Sequence, residues 1–196
     1  MSVYIIPIVS IVVGLAITDL AASFHRLLRK RDIVTWDWLV LLLALNLLLL
    51  ILINWWFVYK INVDGAFESL WVFIPLIISF LLQYIWTASV LPDQIPPEGI
   101  DLKQYYAANS AYIWWSGFSV LLFGAFANAT RLAASSASID FLALITSPDV
   151  SKLLALSIIT IFLAMIKKRA FHMLMIVLML AVLLVDAALM NGKLIE

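Results

Sequence analysis

Six long apolar segments, separated by short charged or Pro- and Gly-containing connections, make up almost all of this chain. A helix that crosses a bilayer needs about 20 mostly apolar residues, because the hydrocarbon core is about 30 Å thick and the helix rises about 1.5 Å per residue. We therefore predict an all-α fold, a polytopic transmembrane helical bundle of six spans that forms one integral membrane domain over residues 1–196. The spans are expected near residues 3–25, 34–59, 69–91, 104–128, 148–166 and 170–190.

The composition agrees with a membrane protein and excludes several functions. Hydrophobic residues make up 65% of the chain and charged residues 12%, against roughly 45–50% and about 25% in soluble domains. The formal net charge is zero, so nothing indicates nucleic acid as a partner. Without cysteine there are no disulfides, thiolate metal sites or cysteine nucleophiles. The sequence contains no metalloprotease, hydrolase or phosphate-loop motif, and we expect neither enzyme activity nor a cofactor.

The basic residues predict the orientation. The first, third and fifth connections should lie on one side of the membrane and carry eight basic residues, against four on the other side. Basic residues near span ends are retained in the cytoplasm, so both termini are predicted to lie outside. The eight are Arg26, Arg29, Lys30, Arg31, Lys103, Lys167, Lys168 and Arg169. We expect a multi-pass protein of the plasma membrane, in this case a bacterial inner membrane.

Two connections carry local structural signals. The second, at residues 62–65, reads Asn-Val-Asp-Gly and predicts a turn. Before span 5, Asp140 opens an apolar stretch over residues 141–145, and Ser147-Pro148-Asp149 is typical of a fresh helix start, with an N-cap, a first-position proline and an acidic first turn. We predict a short helix in the membrane interface followed by span 5.

Span 1 carries the strongest candidate for a functional polar group. Asp19 lies seven residues before Arg26 and hence on nearly the same face, with His25 adjacent to Arg26. An ionisable group at membrane depth is costly and usually faces a bundle interior or a water-filled cavity. These three residues could form part of an ion or proton path. Alternatively, Asp19 forms an internal ion pair while His25 and Arg26 end the helix. A ridge of small residues beside them predicts close approach of another helix: Ser10, Gly14, Thr18 and Ala22.

Further polar residues are spread over three other spans. Asn46 lies near the middle of span 2 and Gln83 lies in span 3, while Asp186 lies toward the outer end of span 6. They could line a polar pathway, or each could make a separate interhelical hydrogen bond. For Asp186 the candidate partners are Lys60, Lys152 and the amide of Asn54.

Span 4 has a polar stripe of its own. Tyr105, Asn109, Tyr112 and Ser116 follow the spacing of one helical face. The stripe could bind an amphipathic ligand or line a vestibule, or it could serve helix packing. A haem between His25 and His172 is conceivable, but two histidines without a further signature are a weak signal.

Two functional classes follow from these candidates. The first is a channel or transporter for a small ion or solute, with a polar path built from Asp19, His25, Arg26, Asn46, Gln83, Asn109, Tyr112 and Asp186. The second is a non-conducting membrane sensor, effector or complex subunit. The lipid bilayer is the expected partner in both. Because a six-span bundle of this size is small, we also expect a homo-oligomer or a membrane partner protein, and the sequence leaves the ligand open.

Overall fold

The computed structural model describes residues 5–61, 69–135 and 140–192 as an α-helical bundle. Six of its helices are long and apolar enough to cross a membrane, in agreement with the prediction. In chain order the elements are α1 (Ile5–Arg29), a 3-10 turn (Arg31–Ile33), β1 (Val34–Thr35), α2 (Trp38–Ile61), α3 (Leu70–Val90), β2 (Ile100–Asp101), α4 (Leu102–Ser135), α5 (Phe141–Thr146), α6 (Pro148–Met165) and α7 (Arg169–Gly192).

The predicted short helix before span 5 is α5. The Asp140 side chain accepts a hydrogen bond from the Leu142 backbone N–H and so caps the first turn. A new helix, α6, then begins at Pro148, with Asp149 in its first turn, as predicted. The Ser147 hydroxyl does not cap α6, because it donates instead to the Leu144 carbonyl of α5. The turn predicted at residues 62–65 lies outside the described residues.

The connections α1–α2, α3–α4 and α6–α7 meet at one end of the bundle, which we call the basic end. Here β1 and β2 pair as a two-residue parallel ladder that joins the first connection to the third. The Lys30 ammonium group adds a hydrogen bond to the Ile95 carbonyl, 2.8 Å away. Gly99 lies beside this ladder with φ at +95°, and a Cβ atom there would come within 2.4 Å of the Ile33 carbonyl oxygen. Only glycine fits this position.

Two helices, α4 and α1, each pack against two neighbours. The long helix α4 packs against α3 and α6, while α1 packs against α2 and α3. The last helix, α7, packs against α2. Although α6 and α7 are joined by only three residues, α7 lies on α2 and α6 lies on α4, so the two helices diverge from the basic end. The space between these pairs contains the candidate site.

Large aromatic side chains point out of the bundle near helix ends. Trp38, at the start of α2, is 82% exposed, and Trp71, at the start of α3, is 81% exposed. Indole rings at such positions lie at headgroup level in membrane proteins.

The predicted orientation can be tested by labelling single cysteines in intact cells with a membrane-impermeant thiol reagent. Cysteines replacing Arg31, Glu98 and Lys168 lie at the basic end and should stay unlabelled, because basic connections are retained in the cytoplasm. Cysteines replacing Ser2 and Ser135 should be labelled. Glu98 is used because the neighbouring glycine tolerates no side chain.

Permeabilised cells provide the control for this experiment, since all five cysteines should react there. The opposite pattern would show that the predicted orientation is wrong: Arg31→Cys and Lys168→Cys would be labelled in intact cells, and Ser2→Cys and Ser135→Cys would be protected.

Candidate functional site

A cavity of about 530 Å³ lies inside the bundle, between helices α2, α3, α4, α6 and α7. Its walls are mostly leucine, isoleucine, valine, phenylalanine and methionine side chains. The cavity exists because α6 and α7 diverge, and α1 contributes no residue to it. The polar or charged residues of the lining are Asn54, Ser79, Gln83, Asn128, Arg131, Asp149, Lys152, Thr160 and Asp186.

Charged residues lie at the end of the cavity that faces away from the basic end, which we call the mouth. The Lys152 ammonium group of α6 makes an ion pair with the Asp186 carboxylate of α7. Arg131, at the end of α4, donates to the Asp149 carboxylate over 3.1 Å. Each pair joins two helices that border the cavity. The first pair links α6 and α7 where these helices are furthest from their short connection.

A second group of polar side chains lies deeper, on α2 and α3. The Asn54 amide donates to the Gln83 side-chain oxygen over 3.1 Å. Gln83 is 2% exposed and Trp86, one turn further along α3, is fully buried. Neither the Gln83 Nε2 atom nor the Trp86 Nε1 atom has an acceptor among the described residues. The inner part of the cavity is therefore bordered by two N–H donors without a partner in the described chain.

A chain of buried hydrogen bonds closes the bundle between the cavity and the basic end. The Trp114 indole N–H donates to the Tyr106 hydroxyl at 2.8 Å, with His172 Nδ1 3.2 Å away. His172 Nε2 lies 2.5 Å from the Ile166 carbonyl oxygen, which can only accept, so this nitrogen carries the proton. In the neutral ring Nδ1 then accepts from the Tyr106 hydroxyl, 2.5 Å away. These bonds tie α4 to α7 and to the α6–α7 connection.

An ion pair at the basic end supports this closure. Asp37 is the N-cap residue of α2, and it accepts from the Leu39 backbone N–H at 2.8 Å. Arg169, at the start of α7, binds both carboxylate oxygens of Asp37, each at 2.8 Å. Burial by itself would raise the pKa of Asp37. The bonds from Arg169 and the backbone outweigh that effect and hold the pKa below its ordinary value of 3.8.

The structure brings only two of the eight sequence candidates to the cavity. Gln83 and Asp186 line it, and Lys152 is the partner of Asp186, one of the three candidates for that role. Asn46 is buried elsewhere, where its amide donates to the Leu42 carbonyl and lies 3.4 Å from the Ile176 carbonyl.

The candidates on α1 lie away from the cavity. Asp19 is half-buried and has no hydrogen-bond or ion-pair partner among the described residues. His25 is exposed, and Arg26 pairs with Asp93 of the α3–α4 connection at 3.4 Å. The small-residue ridge does not receive another helix at Gly14, where a Cβ atom would meet no described atom within 4 Å.

No residue of the polar stripe of span 4 lines the cavity, and the Tyr105 hydroxyl donates to the Ser89 carbonyl of α3. Tyr112 is 56% exposed, and the Asn109 amide donates to the Tyr105 carbonyl of its own helix over 2.9 Å. The inward face of α4 carries Tyr106 and Trp114 instead, which the sequence does not single out together. Their eight-residue spacing was a usable signal, since residues separated by about two turns share a helical face.

The histidines do not form a metal or haem site in this arrangement. Both ring nitrogens of His172 face protein partners, and His25 is exposed at the end of another helix. Over residues 5–61, 69–135 and 140–192, no group of three or more His, Cys, Asp or Glu side chains is close enough to hold a metal ion.

Comparison with known proteins finds no family model, no curated protein and no solved structure that matches this chain.

The tight contact between α3 and α4 predicts a stability difference between two glycines. A Cβ atom at Gly117 would lie 2.7 Å from the Trp86 ring, whereas one at Gly14 would meet no described atom within 4 Å. Gly117→Ala should therefore destabilise the protein by about 1–3 kcal/mol, the usual cost of overpacking. Gly14→Ala should leave stability unchanged or raise it slightly, because alanine favours helix. Thermal unfolding in detergent measures both, and equal melting temperatures would contradict the contact.

The Asp37–Arg169 pair predicts a pH-dependent stability. Because the folded-state pKa of Asp37 is lowered, its stabilising contribution is complete above the unfolded value of 3.8 and is lost as the pH falls through the folded pKa. Asp37→Asn should melt at a lower temperature than wild type at pH 7, and this difference in melting temperature should shrink as the pH falls below 3.8. Asp32→Asn is the control, since Asp32 is 92% exposed in a 3.9 Å pair. A gap that widened on acidification would contradict this assignment.

Proposed function

We propose that the protein binds a small amphipathic molecule in the intramembrane cavity and carries it across the membrane, acting as a small-solute transporter. The observation that supports this proposal is the cavity itself, about 530 Å³ between five helices. Ligand sites typically measure about 300–1,000 Å³ and combine apolar walls with a few placed polar groups. The walls and the two polar ends of this cavity match that description.

The mouth favours a ligand whose headgroup carries no net charge. Arg131 and Lys152 are each paired with a carboxylate, from Asp149 and Asp186 respectively. The mouth thus offers two positive and two negative groups. A zwitterionic or neutral polar headgroup can exchange contacts with such pairs without leaving a charge unpaired, which would be costly away from bulk water.

A transporter also needs a site that opens toward one side at a time. The buried chain Trp114–Tyr106–His172 lies between the cavity and the basic end, while the mouth contains separable ion pairs. Asp19 and Asn46 do not line the cavity. The arrangement therefore favours a solute-binding site over the continuous ion path that the sequence suggests.

A second candidate function is a sensor or complex subunit that binds the same ligand without transporting it. The interlocked basic end favours this alternative. There, three contacts join the α1–α2, α3–α4 and α6–α7 connections to one another. They are the β1–β2 ladder, the Lys30 bond to Ile95 and the Asp37–Arg169 pair. If the basic end never opens, the ligand cannot leave on that side of the membrane. Its binding then changes only the arrangement of the helices.

Radiolabelled undecylphosphocholine, a single-chain zwitterion, tests the proposal. Purified protein in nanodiscs should bind it saturably below its micellar concentration. Gly124 lines the cavity and has room for a side chain, since a Cβ atom there would lie 3.7 Å from Leu153. Gly124→Leu should therefore fill part of the cavity and weaken binding at least tenfold. Gly14→Leu, on the outer face of α1, is the matched control and should bind like wild type.

Uptake of the same compound into proteoliposomes separates the two candidates. Saturable uptake above protein-free liposomes, reduced in Gly124→Leu, supports transport. Binding without uptake supports the sensor or subunit role. Absence of saturable binding, or equal binding by Gly124→Leu and wild type, would end the proposal of a ligand-binding cavity.

A further inference from the structure

Two buried N–H groups beside the cavity have no acceptor among the described residues. They are Gln83 Nε2 and Trp86 Nε1, on residues that are 2% and 0% exposed and that both line the cavity. Buried polar groups in native proteins are nearly always hydrogen-bonded, so each exception requires a partner from elsewhere. A bound molecule in the cavity can supply it.

The orientation of the Gln83 side chain is fixed by its neighbour. Asn54 donates to the Gln83 side-chain oxygen over 3.1 Å, which leaves the amide nitrogen of Gln83 as the free end. Residues three apart lie on the same helical face. Gln83 and Trp86 are therefore neighbours on one face of α3, and both border the cavity.

The Trp86 ring is held in place as well. Its edge packs against Gly117, where even a methyl group would be too close, and the ring makes an edge-to-face contact with Trp114 at 6.2 Å between centroids. A donor whose ring cannot turn presents its N–H in one direction. This reduces the entropy lost when an acceptor binds.

We propose that the ligand carries an uncharged acceptor oxygen, a ketone, ester or ether oxygen, on its apolar portion, and that Gln83 and Trp86 bind this oxygen together. The proposal deepens the proposed function and rests on it. A neutral oxygen fits better than a carboxylate, because both cations of the lining, Arg131 and Lys152, already pair with carboxylates at the mouth. A carboxylate held deep without a cation would be costly.

Matched probes isolate the effect of one oxygen. Undecylphosphocholine is compared with analogues that carry a single ketone at the sixth, eighth or tenth chain carbon. Wild-type protein in nanodiscs should bind at least one ketone about tenfold to thirtyfold more tightly than the alkyl compound, as one or two hydrogen bonds of ordinary net strength would give. Without these donors a ketone should bind less tightly than the alkyl chain, because its oxygen would be buried unpaired.

Substitutions at the two donors assign the preference to them. Trp86→Phe keeps an aromatic ring and removes the N–H, and Gln83→Met keeps the length and removes the amide. Each should reduce the ketone preference, which is the ratio of ketone to alkyl affinity measured in the same variant, about fivefold or more. The control is Trp55→Phe, which removes an indole N–H that already donates to Ser10 outside the cavity, and it should keep the full preference.

The outcomes distinguish this inference from the function on which it rests. If the alkyl compound binds and Gly124→Leu abolishes that binding, but no ketone is preferred, the cavity is a ligand site and the acceptor inference is wrong. A ketone preference that survives in both Trp86→Phe and Gln83→Met would also overturn the inference. If neither probe binds saturably, the proposed function fails and the inference fails with it.

Discussion

The hydrocarbon core of a bilayer cannot hydrogen-bond to a polar group, and this constraint decides where the polar side chains of the spans point. Several of these side chains hydrogen-bond to a backbone carbonyl of their own helix: Asn109 donates to the Tyr105 carbonyl and Thr87 to the Gln83 carbonyl. Such bonds hold no two helices together. The interhelical polar contacts are fewer and lie at particular places, and they divide the bundle into a cross-linked basic end and a cavity that spreads away from it.

How much of this was predictable depends on the kind of pattern. The spans, the short helix α5 and the start of α6 at Pro148 follow from run length and local chemistry, which act within a few residues. The choice of inward face on α4 does not. Tyr105–Asn109–Tyr112 and Tyr106–Trp114 are both plausible polar-aromatic faces, one residue apart, and lipid is as apolar as a protein core. Hydropathy therefore cannot distinguish them, and only the position of His172 on a distant helix makes Tyr106 the inward residue.

The candidate site was only partly predictable, for a related reason. Gln83 and Asp186 were identified because polar groups at membrane depth are expensive, and both line the cavity. The same reasoning chose Asp19 and Asn46, which lie elsewhere. The free-energy cost of a polar group at membrane depth indicates that the residue needs a partner or a function. It does not indicate which of these residues line the same cavity. The cavity arises from the divergence of α6 and α7, a relation between helix axes that no single segment encodes.

The length of α4 links the cavity to the membrane itself. Its 34 residues correspond to about 51 Å of helix, against about 30 Å of hydrocarbon. Upright, the helix would extend well past the apolar layer. Its ends are tethered, by the adjoining β2 strand on one side and by the Arg131–Asp149 pair on the other. Because α4 forms one wall of the cavity, hydrophobic mismatch acts on that wall: a thinner bilayer favours a larger tilt of α4 and a thicker one favours a smaller tilt. We therefore expect the lipid chain length of the host membrane to set the width of the cavity.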